Sequence, residues 1–143
     1  MEKSLILVKP DGVERGLTGT ILGRLEELKL KLVAVRMLHA DKELAEHHYA
    51  IHRDKPFFHD LVNYITSSPI VAAVFEGEDA VSRIRKACGA TDPAKSEKGT
   101  IRGDFGLDIS RNTIHASDSP ETAAVEVNTF FGDYGLCEYT RII

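Results

Sequence analysis

The sequence predicts an α/β (α+β) fold of the ferredoxin-like class, a sandwich with a four-stranded antiparallel sheet in a β-α-β-β-α-β pattern and extra helices. Short apolar runs of strand type alternate with stretches whose apolar residues recur at the helical period. Of the 143 residues, 43% are hydrophobic and 28% charged, as in globular proteins that bury a core. No repeat, low-complexity tract or linker interrupts the order, so we expect a single domain over residues 1–143.

The first half of the chain is predicted to contain a strand over residues 5–8, a helix over 21–28, a strand over 32–38 and a helix over 41–48. The first strand is an unbroken apolar run closed by Pro10-Asp11-Gly12, which favours a strand covered on both faces and followed by a turn. Val33 and Val35 are expected on one face of the second strand, since side chains alternate along a strand. Asp41 is the expected N-cap of the following helix.

The second half is predicted to contain a helix over residues 57–65, a strand over 70–75, a helix over 80–88, a strand over 113–116 and a helix over 120–131. Asp79 is the expected N-cap of the middle helix and Gly89 its end. Ser119-Pro120 is typical of an N-cap followed by proline at the first helical position. Between Gly89 and Asn112 the periodicity is lost, which indicates a long loop of functional type.

Charge, cysteine content and the N-terminus exclude several broad classes. Eighteen basic and 22 acidic residues give a net charge of −4, so general attraction to nucleic acid is not expected. Cys88 and Cys137 lie far apart and are expected to be free thiols in a reducing compartment. The apolar run Leu5–Val8 is too short for a signal-peptide core or a membrane span, and we expect a cytoplasmic protein.

The densest cluster of polar functional residues is Asn112–Ser119, and it leads directly into a helix N-terminus. Such a terminus presents free N–H groups and partial positive charge, which favour phosphate and disfavour an imidazolium. A neutral His115 can attack phosphorus through one nitrogen if an acceptor keeps the other protonated. Asp118, Glu121 and Glu126 are near enough in sequence to be that acceptor, and spacing does not choose among them. These residues alone fit a catalytic histidine and also a structural one.

This segment resembles the active-site signature N-x-x-H-x-S-D-S of the nucleoside diphosphate kinase family. Further family motifs follow in order along the chain: Lys9-Pro10-Asp11, His48-Tyr49, Lys55-Pro56-Phe57-Phe58, and the segments 89–94 and 99–105. The resemblance implies an enzyme that transfers the terminal phosphoryl group of a nucleoside triphosphate to a nucleoside diphosphate. The transfer would be a ping-pong reaction through a phosphohistidine at His115, with broad base specificity, and would maintain NTP and dNTP pools.

The resemblance also implies roles for individual residues. His115 would be the phosphorylated nucleophile, Glu126 would orient its ring, and Ser117 would steady that carboxylate. Lys9 would lie near the transferred phosphoryl group and a ribose hydroxyl, and Tyr49 beside the reacting phosphate. The remaining nucleotide contacts would be stacking of Phe57 on the base, an apolar clamp from Leu61 and Ile109, diphosphate binding by Arg85, Thr91 and Arg102, and a ribose contact from Asn112.

The family's cofactor would be Mg²⁺, bound mainly through the nucleotide phosphates so that the protein donates few ligands. His48 and His52 stand four residues apart and could form half of a zinc site, but the sequence shows no cluster to complete it. No G-x-x-x-x-G-K-[ST] loop is present, so nucleotide binding depends on the other motifs. Ala116 stands where the family often has glycine, and a positive φ there would strain the site.

Expected partners are nucleoside tri- and diphosphates including ATP, and further copies of the chain, since proteins of this family are tetramers or hexamers. A second hypothesis is a nucleotide-binding regulatory protein that retains the fold without catalysis. The complete set of expected catalytic residues favours the enzyme. A third hypothesis, RNA binding through sheet aromatics, is disfavoured by aliphatic strands and by the negative net charge.

Overall fold

Four antiparallel strands form one sheet, in which the second strand of the chain pairs with the third, the third with the first and the first with the fourth. The computed structural model describes residues 1–132 and 135–142. The strands are β1 (Glu2–Val8), β2 (Lys31–Leu38), β3 (Ile70–Gly77) and β4 (Ile114–Ala116). The predicted ferredoxin-like α/β sandwich is confirmed.

The helices lie between and after these strands. They are α1 (Pro10–Glu14), α2 (Thr18–Glu26), α3 (Lys42–His48), α4 (Phe58–Ile65), α5 (Ala80–Cys88), α6 (Ile101–Phe105) and α7 (Pro120–Phe131), with 3₁₀ turns at Ala50–His52 and Pro93–Lys95. Helix α1 replaces the predicted turn, because proline is well suited to the first helical position. Helix α6 lies in the predicted loop, and its five residues are too few to show a period.

The sheet is covered by helices on both faces, which explains the unbroken apolar run of β1. Leu5 and Leu7 pack on one face with residues of α3, α4 and α7. Ile6 and Val8 pack on the other face with residues of α2, α5 and α6. All four side chains are fully buried. No helix within residues 1–132 and 135–142 is long and apolar enough to cross a bilayer.

Two local predictions differ from the structure. Val33 is buried, whereas Val35 is 50% exposed, because a register irregularity between Leu32 and Ala34 interrupts the strand alternation. Asp79 does not cap α5 with its side chain, since its backbone is left-handed at φ 51°. Glu2 accepts the hydrogen bond from the Val81 N–H at the start of that helix instead, at 3.0 Å.

The two other predicted N-caps are confirmed. Asp41 accepts from the Leu44 N–H at 2.8 Å, and Ser119 accepts from the Thr122 N–H at 3.1 Å. The cap at Ser119 sets where α7 begins, directly after the edge strand β4. The end of β1, the edge strand β4 and helix α7 therefore meet at one corner of the sheet.

Candidate active site

His115 lies on β4 opposite Leu7 of β1, and its ring faces a carboxylate from α7. Its Nε2 is 3.1 Å from both Oε1 and Oε2 of Glu126. The Ser117 hydroxyl donates to Glu126 Oε1 at 2.7 Å and accepts from the Leu5 N–H at 3.1 Å. Two turns of α7 separate Glu126 from the start of its helix, so the carboxylate reaches back toward β4.

The carboxylate determines which nitrogen of His115 carries the proton. Burial opposes ionisation of Glu126, but hydrogen bonds from His115 and Ser117 outweigh it and lower its pKa. An ionised carboxylate only accepts hydrogen bonds, so Nε2 of His115 must be the protonated nitrogen. The lone pair of the neutral ring then lies on Nδ1, which is free to attack an electrophile.

Lys9 follows β1 directly and is a buried cation whose charge acts on His48. Its backbone N–H donates to the Thr113 carbonyl at 2.9 Å, and its Nζ donates to Asn112 Oδ1 at 2.8 Å. The Asn112 amide in turn donates to the Thr91 carbonyl at 3.0 Å. Burial, followed by the charge of Arg102, lowers the pKa of Lys9 to about 8. A bound anion would relieve both effects.

Arg102 on α6 is a second buried cation, 7% exposed. It donates to the carbonyl oxygens of Ile114 and Gly89, at 2.6 and 3.1 Å, which leaves Nε buried without a partner among the described residues. Burial is the main cause that lowers its pKa. Arg85 on α5 is more exposed, and it pairs with Asp118 Oδ1 at 2.7 Å.

Tyr49 is buried against the ring of His48, and burial followed by the charge of Glu126 raises its pKa to about 12. Its neighbour His48 lies 4.8 Å from His115 between ring centroids. His48, His115 and Glu126 place three ligand atoms within 4.8 Å of one another. The sequence reasoning missed His48 as a site residue, although the His48-Tyr49 motif was a signal for it. His52 lies beside Phe57 instead, 5.4 Å between ring centroids.

The side chains expected to hold the base of the nucleotide lie apart from the buried cluster around His115. Phe57 is 43% exposed at the start of α4, and Ile109 is 62% exposed in the loop after α6. Leu61 is half-buried and packs against the core with α4. Within the described parts of the chain, no hydrogen bond or ring contact joins these three side chains to the His115 cluster. An exposed aromatic ring is nevertheless available for stacking.

Backbone strain lies at Thr113 and not at Ala116. Ala116 pairs with Ile6 in regular β4, and a positive φ is absent there. Thr113 has φ 77°, an unusual conformation for a β-branched residue, and its side chain is fully buried. The carbonyl of Thr113 accepts from the Lys9 N–H, so this strained turn lies between Lys9 and His115.

The donors present fit a divalent metal that is held by phosphates and not by the protein. Among the described acidic groups of the site, Glu126 is engaged by His115 and Ser117, and Asp118 is paired with Arg85. A site rich in imidazole nitrogen is poorly suited to Mg²⁺, which prefers oxygen ligands and retains its waters. The surrounding cations instead suit the phosphate oxygens of a ligand.

The comparisons with known proteins agree with this geometry. Residues 2–135 match the family model for nucleoside diphosphate kinase. A nucleoside diphosphate kinase of Dehalococcoides mccartyi is 63% identical over 141 residues, covering 99% of each chain. One from Archaeoglobus fulgidus is 57% identical, covering 99% of this chain and 93% of that one.

Solved structures agree as well. The structure of a halophilic nucleoside diphosphate kinase from Halobacterium salinarum in complex with CDP has a TM-score of 0.96 and 47% identity, covering 99% of this chain and 94% of that one. A nucleoside diphosphate kinase family protein from Babesia bovis also has a TM-score of 0.96, with 44% identity, covering 99% of this chain and 96% of that one. Membership of this family implies that the enzyme acts on nucleotides and needs a divalent metal. The chain belongs to the nucleoside diphosphate kinase family and is an enzyme of that class.

Proposed function

We propose that His115 is the phosphate carrier of this enzyme and that Nδ1 is its reactive atom. The observation that supports this most directly is the hydrogen bonding between Glu126 and Nε2 of His115, which lies 3.1 Å from each carboxylate oxygen. It keeps the proton on Nε2 and the lone pair on Nδ1. A structural histidine beside a helix cap would not need a buried carboxylate that is itself held by Ser117.

In the first half-reaction, Nδ1 of His115 bonds to the γ-phosphorus of a triphosphate as the bond from that phosphorus to the bridging oxygen breaks. The bridging oxygen leaves with the electron pair, as part of the diphosphate product. Glu126 stabilises the positive charge that develops on the ring, through the Nε2–H hydrogen bond. In the second half-reaction, a terminal oxygen of another diphosphate attacks the same phosphorus and His115 leaves as a neutral imidazole.

We propose that the phosphates are held by Lys9, Arg85, Thr91 and Arg102. Tyr49 would lie beside the transferred group, and Asn112 would bind the ribose. The buried cations Lys9 and Arg102 suit this task, because their charge is weakly screened and the anion offsets their desolvation. Arg85 has to exchange its partner Asp118 for a phosphate oxygen. Phe57 is proposed to stack on the base, with Leu61 and Ile109 around it. Stacking requires only a π face, so purines and pyrimidines would both bind.

Mg²⁺ is the divalent metal that we propose, held by phosphate oxygens of the nucleotide. It would neutralise phosphate charge during transfer. The phosphate oxygens that the metal leaves free would be bound by Lys9, Arg85 and Arg102, which would therefore lie near the metal. The lack of an unpaired carboxylate among the described residues at the site supports a metal with few protein ligands.

We further propose that residues 1–143 form a single domain that assembles into a homo-oligomer, a tetramer or a hexamer, in the cytoplasm. Exposed Val35 and Met37 on the edge strand β2 support assembly, since edge strands with apolar side chains favour pairing. Cys88 and Cys137 are free, which is consistent with a reducing compartment.

The decisive experiment is a short incubation with γ-labelled ATP and Mg²⁺. We expect label on the protein that survives alkali, is lost in acid and leaves when a nucleoside diphosphate is added, as a phosphohistidine would. The His115→Gln variant should remain unlabelled. A wild-type protein without label would favour the regulatory hypothesis, and equal labelling of the variant would place the carrier at another residue.

A further inference from the structure

His48 is a buried histidine with no part in the transfer steps described above. Its side chain is 3% exposed, and neither ring nitrogen has a hydrogen-bond partner among the residues that the structure describes. Buried polar atoms without partners are rare, because their lost hydration is not compensated. An aliphatic side chain would fill the same space without this cost, so the imidazole indicates a role other than packing.

The ring of His48 lies against both members of the His115–Glu126 pair. Its plane is nearly perpendicular to that of His115, at 85°, with 4.8 Å between centroids. Its Nδ1 is 3.8 Å from Glu126 Oε2, just beyond hydrogen-bonding distance. Phe130 and Tyr49 pack around the ring, 5.3 and 4.7 Å away between centroids. These contacts confine the imidazole and direct Nδ1 toward the carboxylate.

The carboxylate favours one tautomer of His48. A lone pair on Nδ1 would face the negative charge of Glu126, whereas an N–H there is attracted to it. Burial, and then the neighbouring His115, lowers the pKa of His48 to about 3, so the ring stays neutral at physiological pH. His48 therefore offers a donor to the carboxylate without adding a positive charge next to His115.

Building on the proposed function, we propose that His48 is a positioning residue whose Nδ1–H directs the Glu126 carboxylate and, through it, the ring of His115. The Ser117 hydroxyl holds Oε1 of that carboxylate at 2.7 Å, and His48 faces Oε2. With both oxygens directed, the plane of the carboxylate is set and the Nε2–H of His115 lies between them. Without His48, the carboxylate can rotate about its hydrogen bond from Ser117. The ring of His115 then turns, and its Nδ1 is no longer in line to attack the phosphorus.

Two substitutions separate this role from packing. His48→Leu keeps most of the volume and removes the donor, whereas His48→Asn places an amide N–H near the position of Nδ1. His47→Leu is the matched control, because His47 is exposed on the same helix. Single-turnover labelling of His115 by γ-labelled ATP, at several ATP concentrations, gives the maximal rate and the half-saturating concentration. Thermal unfolding of each variant reports its stability.

We expect the maximal rate of His48→Leu to fall about 10- to 100-fold, because a small misplacement of a reacting group can cost up to about 10²-fold in rate. The half-saturating ATP concentration should change little, and the variant should be at least as stable as the wild type because it buries no unpaired polar atom. His48→Asn should recover most of the rate, and His47→Leu should match the wild type. This combination of a stable but slow variant is not expected of a purely structural residue.

Three results would overturn the role of His48. The first is a His48→Leu variant that is labelled as fast as the wild type. The second is a His48→Asn variant as slow as His48→Leu. The third is a loss of rate that follows a loss of thermal stability. A wild-type protein that acquires no label would instead overturn the proposed function itself, so the two failures are distinguishable.

Discussion

One carboxylate determines the chemistry of His115. In the sequence, Asp118, Glu121 and Glu126 all lie near enough to orient the ring. In the structure, Asp118 is paired with Arg85 and Glu121 is exposed at the start of α7. Glu126 is 8% exposed and accepts from His115 and Ser117. Burial makes this hydrogen bond strong enough to hold one tautomer of the ring.

Replacing Glu126 by glutamine should therefore slow phosphorylation of His115 far more than it weakens nucleotide binding. The amide can donate to Nε2, which favours the tautomer with the proton on Nδ1 and removes the lone pair that attacks. By analogy with other carboxylate–histidine pairs, we expect a loss of about 10²- to 10⁴-fold in the single-turnover rate. Glu121→Gln, a surface change on the same helix, should retain the wild-type rate, and equal losses in both variants would contradict this assignment.

Lys9 links pH to phosphate binding. Its pKa is lowered from 10.5 to about 8, mainly by burial and then by Arg102, while Asp11 opposes the change. Burial raises the pKa of Tyr49 to about 12 and that of Cys88 to about 11, both well above the pKa of Lys9. Between pH 8 and 10.5 the unfolded chain carries a proton at Lys9 that the folded chain lacks. The Lys9 contribution to folding stability therefore rises with pH through this interval.

Nucleotide affinity should depend on pH with the opposite sign. As the pH rises through about 8, Lys9 of the free protein loses the charge that attracts phosphate, so the affinity for ADP should decrease. Titrations of ADP binding between pH 7 and pH 10 would measure this. Lys9→Gln should bind more weakly at the lower end and show a flatter profile. A wild-type profile parallel to that of Lys9→Gln would show that another group is responsible.

The packing of helix α6 depends on a close approach between its backbone at Gly103 and the backbone of Glu97. A Cβ at Gly103 would lie 2.0 Å from the Glu97 carbonyl oxygen, so only glycine allows this turn to pack. The Gly103 N–H donates to the Thr100 hydroxyl at 3.0 Å, which caps the helix. The same helix holds Arg102 against the Ile114 carbonyl of β4. The position of Arg102, which we propose binds phosphate, thus depends on the space at the next residue.

Gly103→Ala should destabilise the protein by about 1–3 kcal/mol, the usual cost of overpacking. It should also weaken ADP binding, because α6 has to shift and carries Arg102 with it. The matched control is Gly23→Ala in α2, where a new Cβ meets nothing within 4 Å. That variant should gain about 0.5–1 kcal/mol from reduced backbone entropy of the unfolded chain. Chemical denaturation of both variants measures the difference, and a neutral Gly103→Ala would refute the steric argument.

At the scale of the whole molecule, β2 is an edge strand of the sheet, and the residues after α7 cover only part of it. The Cys137 N–H donates to the Val33 carbonyl at 2.8 Å, near the start of the strand. Farther along, Val35 and Met37 are 50% and 62% exposed. Apolar side chains on an edge strand are a liability unless another chain covers them.

Met37→Glu should therefore weaken assembly of the chain. We expect light scattering after size exclusion to give a multiple of 15.8 kDa for the wild type and a smaller mass for the variant. A glutamate at this edge would bring like charges together in paired copies. Ile51→Glu, which changes an 80% exposed aliphatic residue outside β2, should keep the wild-type mass. Equal masses for Met37→Glu and the wild type would exclude this edge as the contact.

Much of the architecture could be predicted because it depends on local signals. The apolar run of β1, the cap at Asp41 and the Ser119-Pro120 start of α7 each act within a few residues, and each is found in the structure. Two of the predictions that were wrong involve partners distant in sequence. Glu2 caps α5 in place of Asp79, although it lies 79 residues before Val81 in the sequence, and a bulge where β2 pairs with β3 exposes Val35.

The sequence by itself determined the family and the fold class and pointed to His115 as the histidine that we propose carries the phosphate, because the motifs around it are contiguous and specific. The tertiary structure places Glu126, the carboxylate that the resemblance implies, against His115, and it alone decided that the strain lies at Thr113 and not at Ala116 and that His48 lies beside the pair. The physical reason is distance along the chain. His48 on α3 and His115 on β4 are far apart in sequence, and packing of α3 against one face of the sheet brings them together.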